Sequence, residues 1–206
     1  MSVAKDYIDG LHKAYIREGG EKLWDDLMKV CCGVDDDEKA ALISMYPDIP
    51  ESLVELLRTV DGTYWRDYGT EEVTFYFFGS DVDDGKYPYY LYSALQLIGD
   101  AEQDYGGNFA DLADFAEEEP DSGCFVDERV RTGDGVEWLC FSDCMNNGGT
   151  SSLFIDFTPS EKGVKGQIVR FLHDPDRLDV IADSFDDFLR MLMDTGYRFV
   201  DHEYFE

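Results

Sequence analysis

Two hydrophobic periods divide this chain, and their order limits the folds open to it. Through residue 60, apolar residues recur three and four apart. Ile8, Leu11 and Tyr15 form one stripe; Leu23, Leu27 and Val30, flanked by Trp24, Met28 and Cys31, form a second; Leu53, Leu56, Leu57 and Val60 form another. That spacing lays one side of a helix against a core. Gly19-Gly20 separates the first two stripes. Asp35-x-x-Glu38 has the form of a capping box for a helix ending before Pro47, and Asp61-Gly62 stops the helix that begins after Pro50. After residue 70 the period shortens. Val73–Phe78 is a β-branched and aromatic run, which predicts a buried strand. Ser93 is placed to cap a helix carrying Leu95, Ile98, Ala101 and Tyr105, and Phe109, Leu112 and Phe115 predict a shorter one. From residue 123, strands are expected at 124–131, 136–142, 152–157, 167–173 and 177–182, punctuated by glycine-containing turns. Ser184-x-x-Asp187 caps a last helix bearing Phe185, Phe188, Leu189 and Leu192. Helices first and closely spaced strands later predict an α+β fold. N-terminal helices and a C-terminal helix would pack on a mostly antiparallel sheet, in one domain spanning 1–206.

Charge restricts the partners. Seventeen Lys and Arg oppose 46 Asp and Glu, a net charge of −29, on a chain that is 44% apolar and 15% aromatic. Apolar content at that level supports a folded body rather than a disordered acidic tail. Phosphate backbones and anionic membranes require Lys/Arg clusters, which the sequence lacks, so nucleic acid and membrane surfaces are excluded as expected partners. A basic protein, steered in by the field, is the complementary one. The N-terminal residues lack the basic and apolar segments of a secretory leader, and no apolar run nears the ~20 residues of a membrane span. Five cysteines, with Cys31 and Cys32 adjacent, suggest reduced thiols and a cytoplasmic location.

Motifs for chemistry fail on inspection. Asp81-x-Asp83-Asp84-Gly85 starts like a calcium loop, but Lys86 stands where that loop needs glycine and Tyr92 where it needs the bidentate glutamate. Cys140 and Cys144 have no second Cys/His pair to complete a zinc tetrahedron, and strand alternation makes Cys140 a packed thiol beside Trp138. No nucleophile elbow and no glycine-rich phosphate loop occurs, and His173 has only Asp174 beside it. The expectation is a non-catalytic chain with no cofactor and no metal. Acid-aromatic segments are the more informative feature. Tyr64, Trp65 and Asp67 form one; Asp81, Asp83, Asp84, Tyr87 and Tyr89 a second; Asp143, Asn146 and Asn147 a third. Tyr and Trp supply rigid contact area at interfaces, so these residues are the expected partner-binding set.

The stretch from Trp138, WLCFSDCMNNGGTSSLFIDFTPSEKGVKGQIVRFLHDPDRLDVIADSFDDFLRML, carries a resemblance. A Trp-x-x-Phe strand, a Gly-rich turn, an Ile-Asp-Phe strand, a Gly-x-x-Gly-Gln-Ile strand and a closing Ser-Phe-x-x-Phe-Leu helix resemble the SUKH superfamily, in particular its Smi/Knr branch. Upstream, Ile49–Gly62 resembles that branch's Leu-Pro-x-x-Leu helix and turn, and Leu91–Gln103 the helix after it. The resemblance covers 46–193 and leaves 1–45 as a helical N-terminal extension. Carried over, the signature positions are Pro50, Gly62, Trp138, Gly149, Asp156, Gly166, Gln167, Ser184, Phe185 and Phe188. Thr150 stands where the family's turn often has Asn. The resemblance implies a non-catalytic interaction protein. Bacterial members serve as immunity proteins that neutralise toxins, many of them nucleases; fungal members are cell-wall-assembly and glucan-synthesis regulators. It also singles out Asp156 and Gln167, polar residues in expected strands, as signature positions with more than a packing role.

Overall fold

The computed structural model describes residues 2–101, 103, 105–146 and 150–205. Four helices open the chain: α1 (Val3–Arg17), α2 (Glu21–Val30), α3 (Asp36–Met45) and α4 (Glu51–Thr59). Their starts follow from side-chain capping. Ser2 Oγ accepts the Lys5 N–H at 3.3 Å, and the Asp35 carboxylate accepts the Asp37 and Glu38 N–H groups at 2.9 and 2.8 Å. A hairpin follows, β1 (Arg66–Tyr68) and β2 (Glu71–Val73). Next come α5 (Ala94–Asp100), α6 (Tyr105–Asn108) and α7 (Leu112–Glu118). Ser93 and Gln96 cap α5 reciprocally, side chain to backbone in both directions.

The main sheet is built from β3 (Phe125–Val126), β4 (Trp138–Asp143), β5 (Ser151–Asp156), β6 (Gln167–Leu172) and β7 (Arg177–Ala182), and α8 (Phe185–Asp194) returns across it. Strand order is β3-β7-β6-β5-β4. Every neighbour is antiparallel except β3, which runs parallel to β7. The fold is α+β.

Strand alternation sends two sets of side chains to opposite sides of this sheet. Leu139, Phe141, Leu153, Ile155 and Ile168 meet α1, α4 and α8 through residues such as Leu11, Leu53, Leu57, Phe185 and Phe188. Trp138, Cys140, Phe154, Val169, Leu178 and Val180 form a smaller cluster with Leu112 and Val130 on the other side. Cys140 is a packed thiol whose pKa burial pushes up.

Tertiary contacts rotate or shorten several expected elements. In α2 the inward residues are Trp24 and Leu27, while Leu23 lies 37% exposed at the edge of the helix. In α5 Ala94 and Leu97 are buried and Leu95 is turned outward, because the Ala94 N–H is fixed on Asp61 Oδ1 at 2.8 Å. Phe115 of α7 is likewise exposed. The run Val73–Phe78 is no continuous strand. Only Val73 lies in β2, and the buried Phe75, Phe77 and Phe78 donate separately to Thr63 and Tyr89 carbonyls. The expected strand 124–131 contracts to β3 because Asp127 turns the chain: its carboxylate accepts the Arg129 N–H and its carbonyl the Val130 N–H.

Candidate protein-interaction surface

Asp61 and Gly62 anchor the first acid-aromatic segment. The Asp61 carboxylate is 1% exposed and is shared between the Ala94 N–H and the Arg66 guanidinium, the latter at 2.7 Å. Gly62 has φ of 90°, and a Cβ there would sit 2.6 Å from the Ser93 nitrogen, so only glycine allows the turn to close on α5. Gln96 then donates to the Tyr64 carbonyl at 2.8 Å. These ties fix where Trp65 emerges. Its φ of 48° is a left-handed conformation unfavourable for a bulky residue, and its side chain stands 51% exposed.

The third segment meets the first through Tyr64, whose hydroxyl donates to Asp143 Oδ2 at 3.3 Å. Burial, with Asp143 alongside, pushes that phenol up to about 12. Tyr90 and Tyr92 pack against the same ring, 5.4 and 5.1 Å between centroids. The second segment also meets the third. Asn146 Nδ2 donates to the Tyr87 hydroxyl at 2.8 Å, and the Met145 N–H to the Pro88 carbonyl at 2.9 Å. The three segments are therefore contiguous through 64, 87–90 and 143–146.

Within them the expected set divides. Tyr89 is fully buried, its hydroxyl 2.7 Å from Ser151 Oγ and 3.1 Å from Ser80 Oγ, so it supports the surface from beneath and does not face a partner. Asp143 is 5% exposed, with Tyr64 and its own following N–H on its carboxylate, and is likewise a support. Asp81 is not a free turn acid. It forms a two-point pair with Arg170, at 2.6 and 3.0 Å, and that buried guanidinium also bonds Asp179 at 2.8 Å. Asp83 and Asp84 follow in left-handed conformations, and Asp84 pairs with Arg198. Trp65, Asp67, Asp83, Asp84 and Asn146 are exposed, with Tyr64 and Tyr87 partly so. Asn147 lies outside the described residues.

Glu71 and Glu72 are further exposed acids of this region that the periodicity did not bring out. The β1–β2 register places Asp67 directly opposite Glu72. The available signal was Gly69-Thr70, a two-residue connection with φ of 74° at its glycine, which is the hairpin form Gly-x. Among the described residues, no group of three or more His, Cys, Asp or Glu could hold a metal ion.

The family model of the SMI1 / KNR4 family (SUKH-1) matches residues 33–191. The chain belongs to this family. No curated protein matches it. SUKH-1 membership supports a protein-interaction module, a family role that is generally non-catalytic. The SUKH-1 signature positions serve mostly as caps, turns and core: Pro50 starts α4, Gly166 has φ of 88°, Ser184 caps α8, and Trp138, Phe185 and Phe188 are buried. Gly149 lies outside the described residues. Asp156 and Gln167, the polar pair expected to have more than a packing role, are directly opposite on β5 and β6 and are 0% and 1% exposed. Gln167 Nε2 donates to Asp156 Oδ2 at 2.9 Å and to the Arg129 carbonyl at 3.0 Å, while Asp156 Oδ1 accepts the Thr158 N–H at 2.9 Å. Their visible role is to lock the ends of two strands. Among the described residues, no helix of this SUKH-1 chain is long and apolar enough to cross a membrane.

Proposed function

We propose that this SUKH-1 chain is an immunity-type protein, which neutralises a basic, nuclease-like toxin domain by covering its cationic face. The observation that carries the reading is the union of exposed Trp65 with unpaired acids. Asp67, Glu71, Glu72 and Asp83 are exposed and have no ion-pair partner among the described residues, on a chain of net charge −29. A nuclease must attract phosphate, so its active face is positive, and an acidic surface both occludes it and speeds the encounter. An exposed Trp held by a fixed backbone is the kind of anchor that dominates interface energies. The part-buried Asp61–Arg66 and Tyr64–Asp143 contacts hold that anchor before any partner arrives, which reduces the ordering cost of binding.

The test is protection. Cells expressing a toxin domain encoded beside this chain should survive only when the chain is present, and Trp65→Ala with Asp83→Lys should abolish survival while the protein remains folded. Association of the purified pair should slow steeply with added salt. Killing that the chain does not alter would overturn the immunity role and leave a regulatory interaction module.

A further inference from the structure

The segment that follows the hairpin has a strand edge open at Glu72 and Thr74; at Tyr76 the carbonyl accepts the Tyr15 hydroxyl at 2.7 Å and the N–H alone is unpaired. Phe75 and Phe77 direct their N–H groups inward, to the carbonyls of Thr63 and Tyr89. Alternation carried on from β2 turns the N–H groups of Glu72 and Thr74 the other way, and that of Tyr76 lies between the two inward ones. Those of Thr74 and Tyr76 have no hydrogen-bond partner among the described residues. Beside this edge runs a groove of about 440 Å³ between α2 and the segment Glu71–Phe75, floored by Leu27, Val73 and Phe75. A second recess of about 170 Å³ shares Leu23, Thr74 and Phe75 and continues to Tyr76 and Tyr204.

We propose that this edge and groove bind an extended, basic segment of the protein partner, which adds as a third strand to the β1–β2 hairpin. The inference rests on the basic-partner reading above and assigns it a place and a backbone geometry. Unpaired N–H groups give the main-chain bonds of strand addition, and alternate side chains give its selectivity. The two faces differ in the way such a peptide would need. Val73 and Phe75 share the face toward the core, so alternate residues of the added strand would be apolar. Asp67 and Glu72, opposite one another, share the other face, so the intervening residues would be Lys or Arg. Lys29, which also lines the groove, is held with Lys22 on Asp26, whereas Asp67, Glu71 and Glu72 have no ion-pair partner among the described residues. Pairing two copies of this chain along the same edge would bring −29 against −29 and align like charges.

A synthetic peptide of alternating lysine and valine is the probe, with a glutamate–valine peptide as control. On the full chain, the lysine peptide should bind and protect the Thr74 and Tyr76 amides from hydrogen exchange, and the control should not. Thr74→Pro removes an N–H that bonds nothing among the described residues. It should weaken the peptide at least tenfold with thermal unfolding unchanged. Glu72→Lys, at an exposed site, should weaken it similarly and keeps the test decisive if Thr74→Pro fails to fold. Binding of the lysine peptide with unchanged affinity to Glu72→Lys, or without protection of Thr74 and Tyr76, would overturn the strand-addition site. So would concentration-dependent dimerisation that competes with the peptide. Toxin neutralisation that survives Thr74→Pro would overturn this groove but leave the immunity reading intact; neutralisation absent even from the unaltered chain would remove that reading itself.

Discussion

The main sheet and the β1–β2 hairpin treat cross-strand charge in opposite ways. On β6 and β7, Arg170 stands opposite Asp179 and bonds it at 2.8 Å, and Asp81 closes on the same guanidinium from the neighbouring loop. On β5 and β6, Asp156 stands opposite Gln167 and accepts its amide. In both cases the acid is buried or half-buried and satisfied. On the hairpin, Asp67 stands opposite Glu72, both are exposed, and no cation among the described residues joins them. Like charges directly opposite weaken a strand pair. The sheet spends its scarce basic residues on architecture, whereas the hairpin leaves its acids open at a cost to its own stability. That contrast suits a surface whose counter-charge comes from another molecule.

Breaking the compensated side should have the largest effect. Arg170→Met frees the Asp81 loop and leaves Asp179 with Arg177 alone, at 3.0 and 3.2 Å, and urea denaturation should register a loss of about 3 kcal/mol. Adding Asp81→Ala to that variant should cost little more, because the two-point pair is already gone; a fully additive loss would mean that Asp81 acts apart from the guanidinium. The Trp65 anchor should behave in reverse. Trp65→Ala should leave unfolding within about 0.5 kcal/mol of the parent, while a calorimetric titration of the partner loses about 2 kcal/mol or more. Asp156→Ala orphans the Thr158 N–H and one donor position of Gln167, and a denaturant midpoint should report about 1–3 kcal/mol. The smallest effect sharpens the contrast most. Glu72→Lys replaces repulsion with attraction across the hairpin and should stabilise the chain by about 0.2–1 kcal/mol, while slowing capture of a basic partner at low salt. A variant that gains neither would make the opposed acids ordinary surface charge.

Much of this molecule was legible in its sequence. Local interactions set the helix starts, and Asp35, Ser93 and Ser184 cap as their spacing requires because a side-chain oxygen reaches the N–H two or three residues on. The strands from Trp138 to Ala182 followed from alternation, since both faces of the sheet bury every second residue. The order of periods gave α+β. Less legible were the elements whose backbone bonds go to distant residues. Phe75–Phe78 reads as a strand, yet its partners are isolated carbonyls at Thr63 and Tyr89, a fact no local pattern contains.

The candidate surface follows the same division. Composition determined that the chain is acidic and aromatic, and motif spacing placed Tyr64, Trp65, Asp67, Asp83 and Tyr87 in acid-aromatic loops. Only the tertiary structure decided which of those acids remain open. Asp81 and Asp67 look alike along the chain, but Asp81 meets a guanidinium delivered from β6, 89 residues away, and Asp67 meets another carboxylate across a two-residue turn. Charge is written residue by residue; its compensation depends on distance in space, which folding alone assigns.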